Sequence, residues 1–248
     1  FFGDLQFLSG GVSLAGARAL VPSELLCVPR DKMLKLMSDI PEMSDIVVTV
    51  LAARRRRAVE QSDGGLTLIG SEISRDVREV GSFAARNRIP YREVDVGSTE
   101  ARRMAEVCGL AEGAAGVVFG GRFKIEPPTL QSVAQALGLD LAVGGEETFD
   151  VLIVGGGPAG VAAAVYAGAE GLSALVLEDL ASGGQAGTSS RIENYMGFPT
   201  GISGGDLVGR GEVQALKFGT RFAMPRRVSA LTQCSEKYFH AALADGRN

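Results

Sequence analysis

The chain has 248 residues, 46% of them apolar and 22% charged, the balance of a soluble globular protein with room for one large domain or two to three small ones. Its formal charge of -4 argues against a nucleic-acid surface. Three scattered cysteines (Cys27, Cys108 and Cys234) argue against a disulfide scaffold or a zinc site and favour a cytoplasmic, reducing location. No run reaches the ~18 apolar residues of a spanning helix, and the N-terminus has no basic-then-apolar signal pattern, so no membrane association is expected.

In residues 1–60, Phe7-Leu8 and then Leu14 to Val21 read as short strands broken by glycine. Met43, Ile46, Val47, Val50 and Leu51 fall at helical spacing behind Pro41, which suits a first turn. That helix is expected to end in Arg54-Arg55-Arg56-Arg57, where cations complement the helix dipole. The segment resembles the C-terminal part of a cyclic-nucleotide-binding domain. Phe2-Gly3-Asp4-Leu5 stands at the phosphate cassette, and Leu25-Leu26-Cys27-Val28-Pro29 at the last strand. The resemblance implies a partial β-barrel with a following helix. Where that family carries an arginine for the cyclic phosphate, this chain has Ser13-Leu14-Ala15-Gly16, so cyclic nucleotide binding is not expected.

Residues 64–141 alternate strand and helix: Leu66 to Ile69, Arg75 to Asn87, Tyr91 to Val94, Ala101 to Cys108, Gly116 to Phe119 and Leu130 to Leu137. This order predicts a small α/β layer domain. It is similar to a thioredoxin or glutaredoxin fold. At the position of that family's redox pair stands Ser71-Glu72-Ile73-Ser74, with Ser74 suited to cap the first helix. Serine cannot form a disulfide, and the family's proline before the third strand is replaced by Ala115-Gly116, so a redox-silent structural or docking module is expected. Residues 142–148 read as a linker.

From 149 to 248 the pattern is that of an incomplete Rossmann-type domain. Phe149 to Val154 predicts a strand buried on both faces. Gly155, Gly157 and Gly160 give the G-x-G-x-x-G spacing: a tight turn, close approach of a pyrophosphate, and close helix–strand packing. Pro158 and Ala159 open an alanine-rich helix to Gly168 whose N-terminus suits phosphate. A second strand, Leu172 to Leu177, ends in Glu178, a carboxylate placed to accept from ribose hydroxyls. A helix is expected over Asp206 to Phe218, with Leu207, Gly211, Ala215 and Phe218 as its core stripe. The lone histidine, His240, sits in a surface strand, Lys237 to Leu243.

Ser182-Gly183-Gly184-Gln185, followed by Glu193-Asn194-Tyr195 and Gly197-Phe198-Pro199, resembles the thioredoxin reductase family of FAD-dependent pyridine-nucleotide oxidoreductases. The three-module order resembles a branch with cyclic-nucleotide-like and thioredoxin-like domains ahead of the reductase. The resemblance implies FAD as cofactor. Gly184 and Gln185 would lie along its ribityl and pyrophosphate, Asn194 (less strongly Thr188) would sit at the flavin, and Val228 would offer backbone contacts to adenine. Neutral carboxamides suit flavin and ribityl oxygens because they add no charge. NADPH would be the co-substrate, a thioredoxin-like protein or another disulfide the acceptor, and a homodimer the assembly. The NADPH fingerprint and the redox Cys-x-x-Cys do not occur before Asn248, and the first module starts late. The chain is therefore expected to be a fragment, inactive alone and a poor FAD binder, with no catalytic residue and no metal ligand of its own. A non-catalytic flavin- or nucleotide-binding regulator and an NAD-dependent dehydrogenase remain open alternatives at this point.

Overall fold

The computed structural model describes residues 6–9, 18–60, 65–70, 74–111, 113–120, 123–137, 139, 147–235 and 237–245. The chain divides into two compact units, residues 1–138 and 139–248.

The first unit opens with three helices, α1 (Gln6–Ser9), α2 (Arg30–Asp39) and α3 (Pro41–Glu60). Phe7 and Leu8, expected as strand, are helical. Leu8 is buried, and the Arg30 side chain donates from Nε to the Phe7 carbonyl and from Nη2 to the Leu8 carbonyl, both at 2.6 Å. Carbonyls left without intrahelical partners are met in this way. Arg18 to Val21, the described end of the second expected strand, is irregular and exposed. Leu25 to Pro29 is not a strand either: Leu25 and Leu26 are 82% and 92% exposed, and no described strand pairs with them. The described residues thus show no part of a barrel here. The cassette-like Phe2 to Leu5 and the Ser13 to Gly16 stretch lie outside the described residues.

Helix α2 is an addition to the expected elements. Pro29 precedes it, Asp31 sits in its first turn, and Met33, Leu34 and Met37 are its inward residues. Helix α3 runs through the arginine run to Glu60 instead of ending there. Ser44, Val47 and Leu51 are its buried positions, while Ile46 faces outward.

The rest of this unit is an α/β layer. Strand β1 (Leu66–Gly70) is buried from Leu66 to Ile69 and leads into α4 (Arg75–Arg86), whose Val80, Phe83 and Ala84 are fully buried. Ser74 precedes α4 but makes no side-chain capping bond. Ser71 to Ile73 lie outside the described residues. Strand β2 (Tyr91–Asp95) pairs parallel to β1. Helix α5 (Thr99–Cys108) follows, capped by Ser98 Oγ accepting from Ala101 N–H at 3.1 Å. Strand β3 (Gly116–Phe119) pairs antiparallel to β1, and β4 (Phe123–Ile125) antiparallel to β3. Helix α6 (Leu130–Ala136), capped by Thr129, closes the unit. The sheet order is β2-β1-β3-β4. Strand β4 escapes sequence reasoning because three residues are too few to show alternation.

In the second unit, β5 (Val151–Val154), α7 (Pro158–Ala169), β6 (Ala174–Leu177), α8 (Gly204–Lys217) and β7 (Arg221–Ala223) form a parallel sheet in the order β5-β6-β7 with two helices. A hairpin follows, β8 (Val228–Gln233) and β9 (Phe239–Leu243), in which His240 is half-buried opposite Thr232. Helix α7 meets α8 through Val161, Ala164, Val208 and Ala215 over Ile153 and Phe222. The contact is close: a Cβ on Gly211 would lie 2.5 Å from Val161 Cγ1, and one on Gly168 2.7 Å from Thr220 Oγ1.

Two expectations fail in this unit. Strand β5 is not buried on both faces, since Val154 is 60% exposed; β5 is the edge of the three-stranded sheet, while central β6 is wholly buried. Phe218 leaves the α8 stripe because it stands past the helix end as its C-cap, half out in water; Val208 takes the inward place. At the base of the sheet Asp150 Oδ2 accepts from Ser173 N–H at 2.8 Å and from Ser173 Oγ at 2.6 Å. These bonds, the hydroxyl's first, hold the Asp150 carboxyl below the ordinary carboxylate range.

Candidate functional site

The site begins where β5 ends. Gly155 turns the chain with φ +98, a conformation that favours glycine, and its N–H donates to the Leu177 carbonyl at 2.8 Å. Gly157 is the N-cap of α7 and Pro158 its first residue, a position where the absent proline N–H costs nothing. Gly160 fits only without a side chain, because a Cβ there would lie 1.9 Å from the Gly155 carbonyl oxygen. Among the described residues no acceptor meets the N–H groups of Gly157, Ala159 and Gly160. Nothing stands within 4 Å of the place a Gly157 Cβ would take. A ring of free amide donors over open space, at the positive end of a twelve-residue helix, is suited to phosphate oxygens.

Glu178 stands beside this loop and also braces it. Its Oε2 accepts from Gly156 N–H at 2.6 Å and its Oε1 from Leu180 N–H at 3.1 Å. Each oxygen keeps a second lone pair for a ligand hydroxyl.

The second glycine loop is joined to the first. Gly183 N–H donates to the Gly156 carbonyl at 2.6 Å, and Gly183 and Gly184 take φ values of +115 and +51. A Cβ on Gly184 would lie 3.5 Å from Gly157 Cα, so the two loops meet there. Next to Gly183, Ser182 Oγ is buried with no hydrogen-bond partner among the described residues. Such an orphan polar atom beside an open cradle of donors is what a site built for a polar ligand leaves behind. Gln185 is exposed and opens a 3-10 turn, Ala186–Thr188, in which the Thr188 hydroxyl donates to the Gln185 carbonyl at 2.8 Å.

Asn194 stands apart, exposed on a loop whose neck is an antiparallel bridge: Ile192 N–H to Ile202 carbonyl at 2.7 Å, and Ile202 N–H to Ile192 carbonyl at 2.9 Å. The same loop carries Tyr195, Met196 (93% exposed) and Phe198, over which the Arg210 guanidinium lies 5.6 Å from the ring centroid. Val228 packs with Leu175, Leu177, Ala223 and Leu243, and two residues before it Arg226 N–H donates to the Glu178 carbonyl at 2.6 Å. Arg226 is buried and ion-paired to Asp245.

The structure therefore brings together Gly155, Gly157, Pro158, Ala159, Gly160, Glu178 and Gly184, with Gln185 next to them. Thr188, Asn194 and Val228 sit on flanking elements. Sequence reasoning gives no role to Ser182 or Gly204. A Cβ on Gly204 would lie 1.6 Å from the Ala186 carbonyl oxygen. The run Ser203-Gly204-Gly205-Asp206, a capping serine with a carboxylate three residues on, is the signal that could have placed the helix start there. Among the described residues no group of three metal-ligating side chains occurs, and no helix is long and apolar enough to cross a membrane.

A glycine turn, a free helix N-terminus and a carboxylate ending the next strand thus stand together at one end of this sheet. Residues 149–247 match the pyridine nucleotide-disulphide oxidoreductase family model. The chain is 34% identical over 127 residues to NADPH-dependent thioredoxin reductase 3 of Arabidopsis thaliana, covering 46% of this chain and 24% of that protein. It is 43% identical over 74 residues to the bifunctional thioredoxin reductase/thioredoxin of Mycobacterium leprae, covering 30% and 16%. A solved thioredoxin reductase from Gloeobacter violaceus aligns at 35% identity and TM-score 0.36, over 40% of this chain and 30% of that one. The chain thus spans about a quarter or less of the length of these curated relatives.

Proposed function

We propose that residues 149–248 are the FAD-binding part of a thioredoxin-reductase-like oxidoreductase. The observation that carries this reading is the junction of two glycine loops. The amides of Gly157, Ala159 and Gly160 would hold the pyrophosphate, Glu178 the ribose, and Gly184 and Gln185 the stretch leading to the flavin. Asn194 and Thr188 would reach the flavin side, and the backbone at Val228 the adenine. The family match over 149–247 supports the same reading. The activity proposed for the whole protein is NADPH-dependent reduction of a disulfide, a thioredoxin-like protein being the first choice of acceptor, with a cytoplasmic homodimer as its form. FAD, when bound, supplies a two-electron carrier between NADPH and that acceptor.

This chain's own residues bind and orient. The α7 N-terminus neutralises phosphate charge, and Glu178 rejects a ribose that carries a 2′-phosphate. For residues 64–141 we propose a thioredoxin-like docking module, on the sheet order β2-β1-β3-β4 with its parallel first pair and antiparallel second half. The described part of residues 1–60 is helical, and we assign it no nucleotide site. The test uses the protein concentrations that a weak site needs: titrating FAD with the chain should change its flavin fluorescence saturably, and Glu178→Ala should weaken that binding at least about tenfold, the loss of ~1.4 kcal/mol. Flavin fluorescence unchanged at the highest protein concentration overturns the reading.

A further inference from the structure

Gly204 is buried at the first turn of α8, and the three atoms nearest to the Cβ it lacks are all backbone. Its N–H donates to the Ser189 carbonyl at 2.8 Å, and the Cβ it lacks would lie 1.6 Å from Ala186 O and 2.8 Å from Ala186 C. Ordinary Cβ contacts do not fall below 3.0 Å, so any side chain at 204 must drive the Ala186 peptide away by over 1 Å. That peptide belongs to the 3-10 turn directly after Gly184 and Gln185. Helix α8 cannot yield instead, because Leu207, Val208 and Ala215 are buried and Gly211 lies against Val161 of α7. Ser203 fixes the helix start independently, accepting from Asp206 N–H at 3.0 Å and donating to Asp206 Oδ2 at 2.8 Å.

From Ser189 to Gly204 the chain is closed twice, by the Gly204–Ser189 bond and by the Ile192–Ile202 bridge. The N-terminus of α8 is therefore occupied by protein, whereas that of α7 is open.

We propose that Gly204 is the positioning residue for the flavin half of the site. Through Ala186 it sets where Gly184 and Gln185 stand, and through Ser189 it closes the loop that carries Asn194. The adenosine half, built from Gly157, Gly160 and Glu178, is held by bonds of its own, Gly155 N–H to the Leu177 carbonyl and the Gly156 and Leu180 amides to Glu178. This rests on the flavin reading above.

The test compares two probes, FAD and ADP, on the unaltered chain, Gly204→Ala and Ser203→Ala. With Gly204→Ala, FAD affinity should fall about 10–100-fold, the effect of a misplacement of about 1 Å, while ADP affinity stays within about twofold. Ser203→Ala removes a cap without touching Ala186, so it should lower the melting temperature and leave FAD affinity unchanged. Hydrogen exchange on the unaltered chain adds a measurement that does not depend on any variant folding. FAD should slow exchange at the Gly204, Ile192 and Ile202 amides, and ADP should not. Equal losses of FAD and ADP in Gly204→Ala, no loss of either, a Ser203→Ala chain as poor in FAD as Gly204→Ala, or equal amide protection by both probes would each overturn the proposal. An unaltered chain that takes up ADP but not FAD, or neither, removes the flavin reading itself.

Discussion

At Gly160 and Glu178 the site depends on single atoms. A methyl group at 160 would collide with the Gly155 carbonyl oxygen, part of the turn that presents the phosphate-facing amides. Gly160→Ala is expected to cost about 1–3 kcal/mol or more, the usual range for overpacking a tight contact, and to lower the melting temperature as well as FAD affinity. Differential scanning fluorimetry with and without FAD reads both. Glu178 is different because it holds two loop amides before any ligand arrives. Glu178→Gln keeps one acceptor oxygen and should release one of those amides. Exchange at Gly156 or Leu180 should rise in the ligand-free variant, and unchanged protection of both would show that the brace is not needed. Gly155, Gly157, Gly160 and Glu178 were legible in the sequence because each answers to a local rule: a turn, an approach, a packing distance, a strand end. Ser182 and Gly204 were not, since their importance comes from a peptide distant in the chain or from a missing partner.

Among the elements, β5 and β6 are tied at their base by the exposed Asp150–Ser173 pair. The native carboxyl titrates below its unfolded value, so its stabilising contribution is fully present above about pH 4. It is lost as pH falls through the depressed native value. Asp150→Ala should therefore melt lower than the unaltered chain at neutral pH, the gap closing in acid; a gap that widened in acid would contradict the assignment. Long elements were legible because their length carries the signal: α4, α7 and α8 lie near their expected bounds, and the β-α alternation of 64–141 reappears as a four-stranded sheet. Short elements were not. Strands β4 and β7 have three residues each, and α1 has four. Phe7-Leu8 went the other way, to helix, because Arg30 reaches its carbonyls from 22 and 23 residues away.

Over the whole molecule, the candidate cofactor residues all fall in the unit of residues 139–248. Saturation with FAD at about 100 times its dissociation constant would stabilise that unit by about 2.7 kcal/mol. Peptide-level hydrogen exchange should then show protection confined to 139–248; protection of the β1–β4 sheet to the same extent would mean that the two units unfold as one. The loop closed at Ile192 and Ile202 has a separate chemical consequence. Of the six methionines, Met37, Met104 and Met224 are buried, Met33 and Met43 are half-buried, and Met196 projects almost entirely into water. Among the thioethers it is the first to meet a peroxide, and its sulfoxide is polar where the thioether was greasy. With the exposed thiols of Cys27 and Cys234 blocked, methionine oxidation should therefore start beside Asn194, with a single oxygen added to the tryptic peptide that spans residue 196.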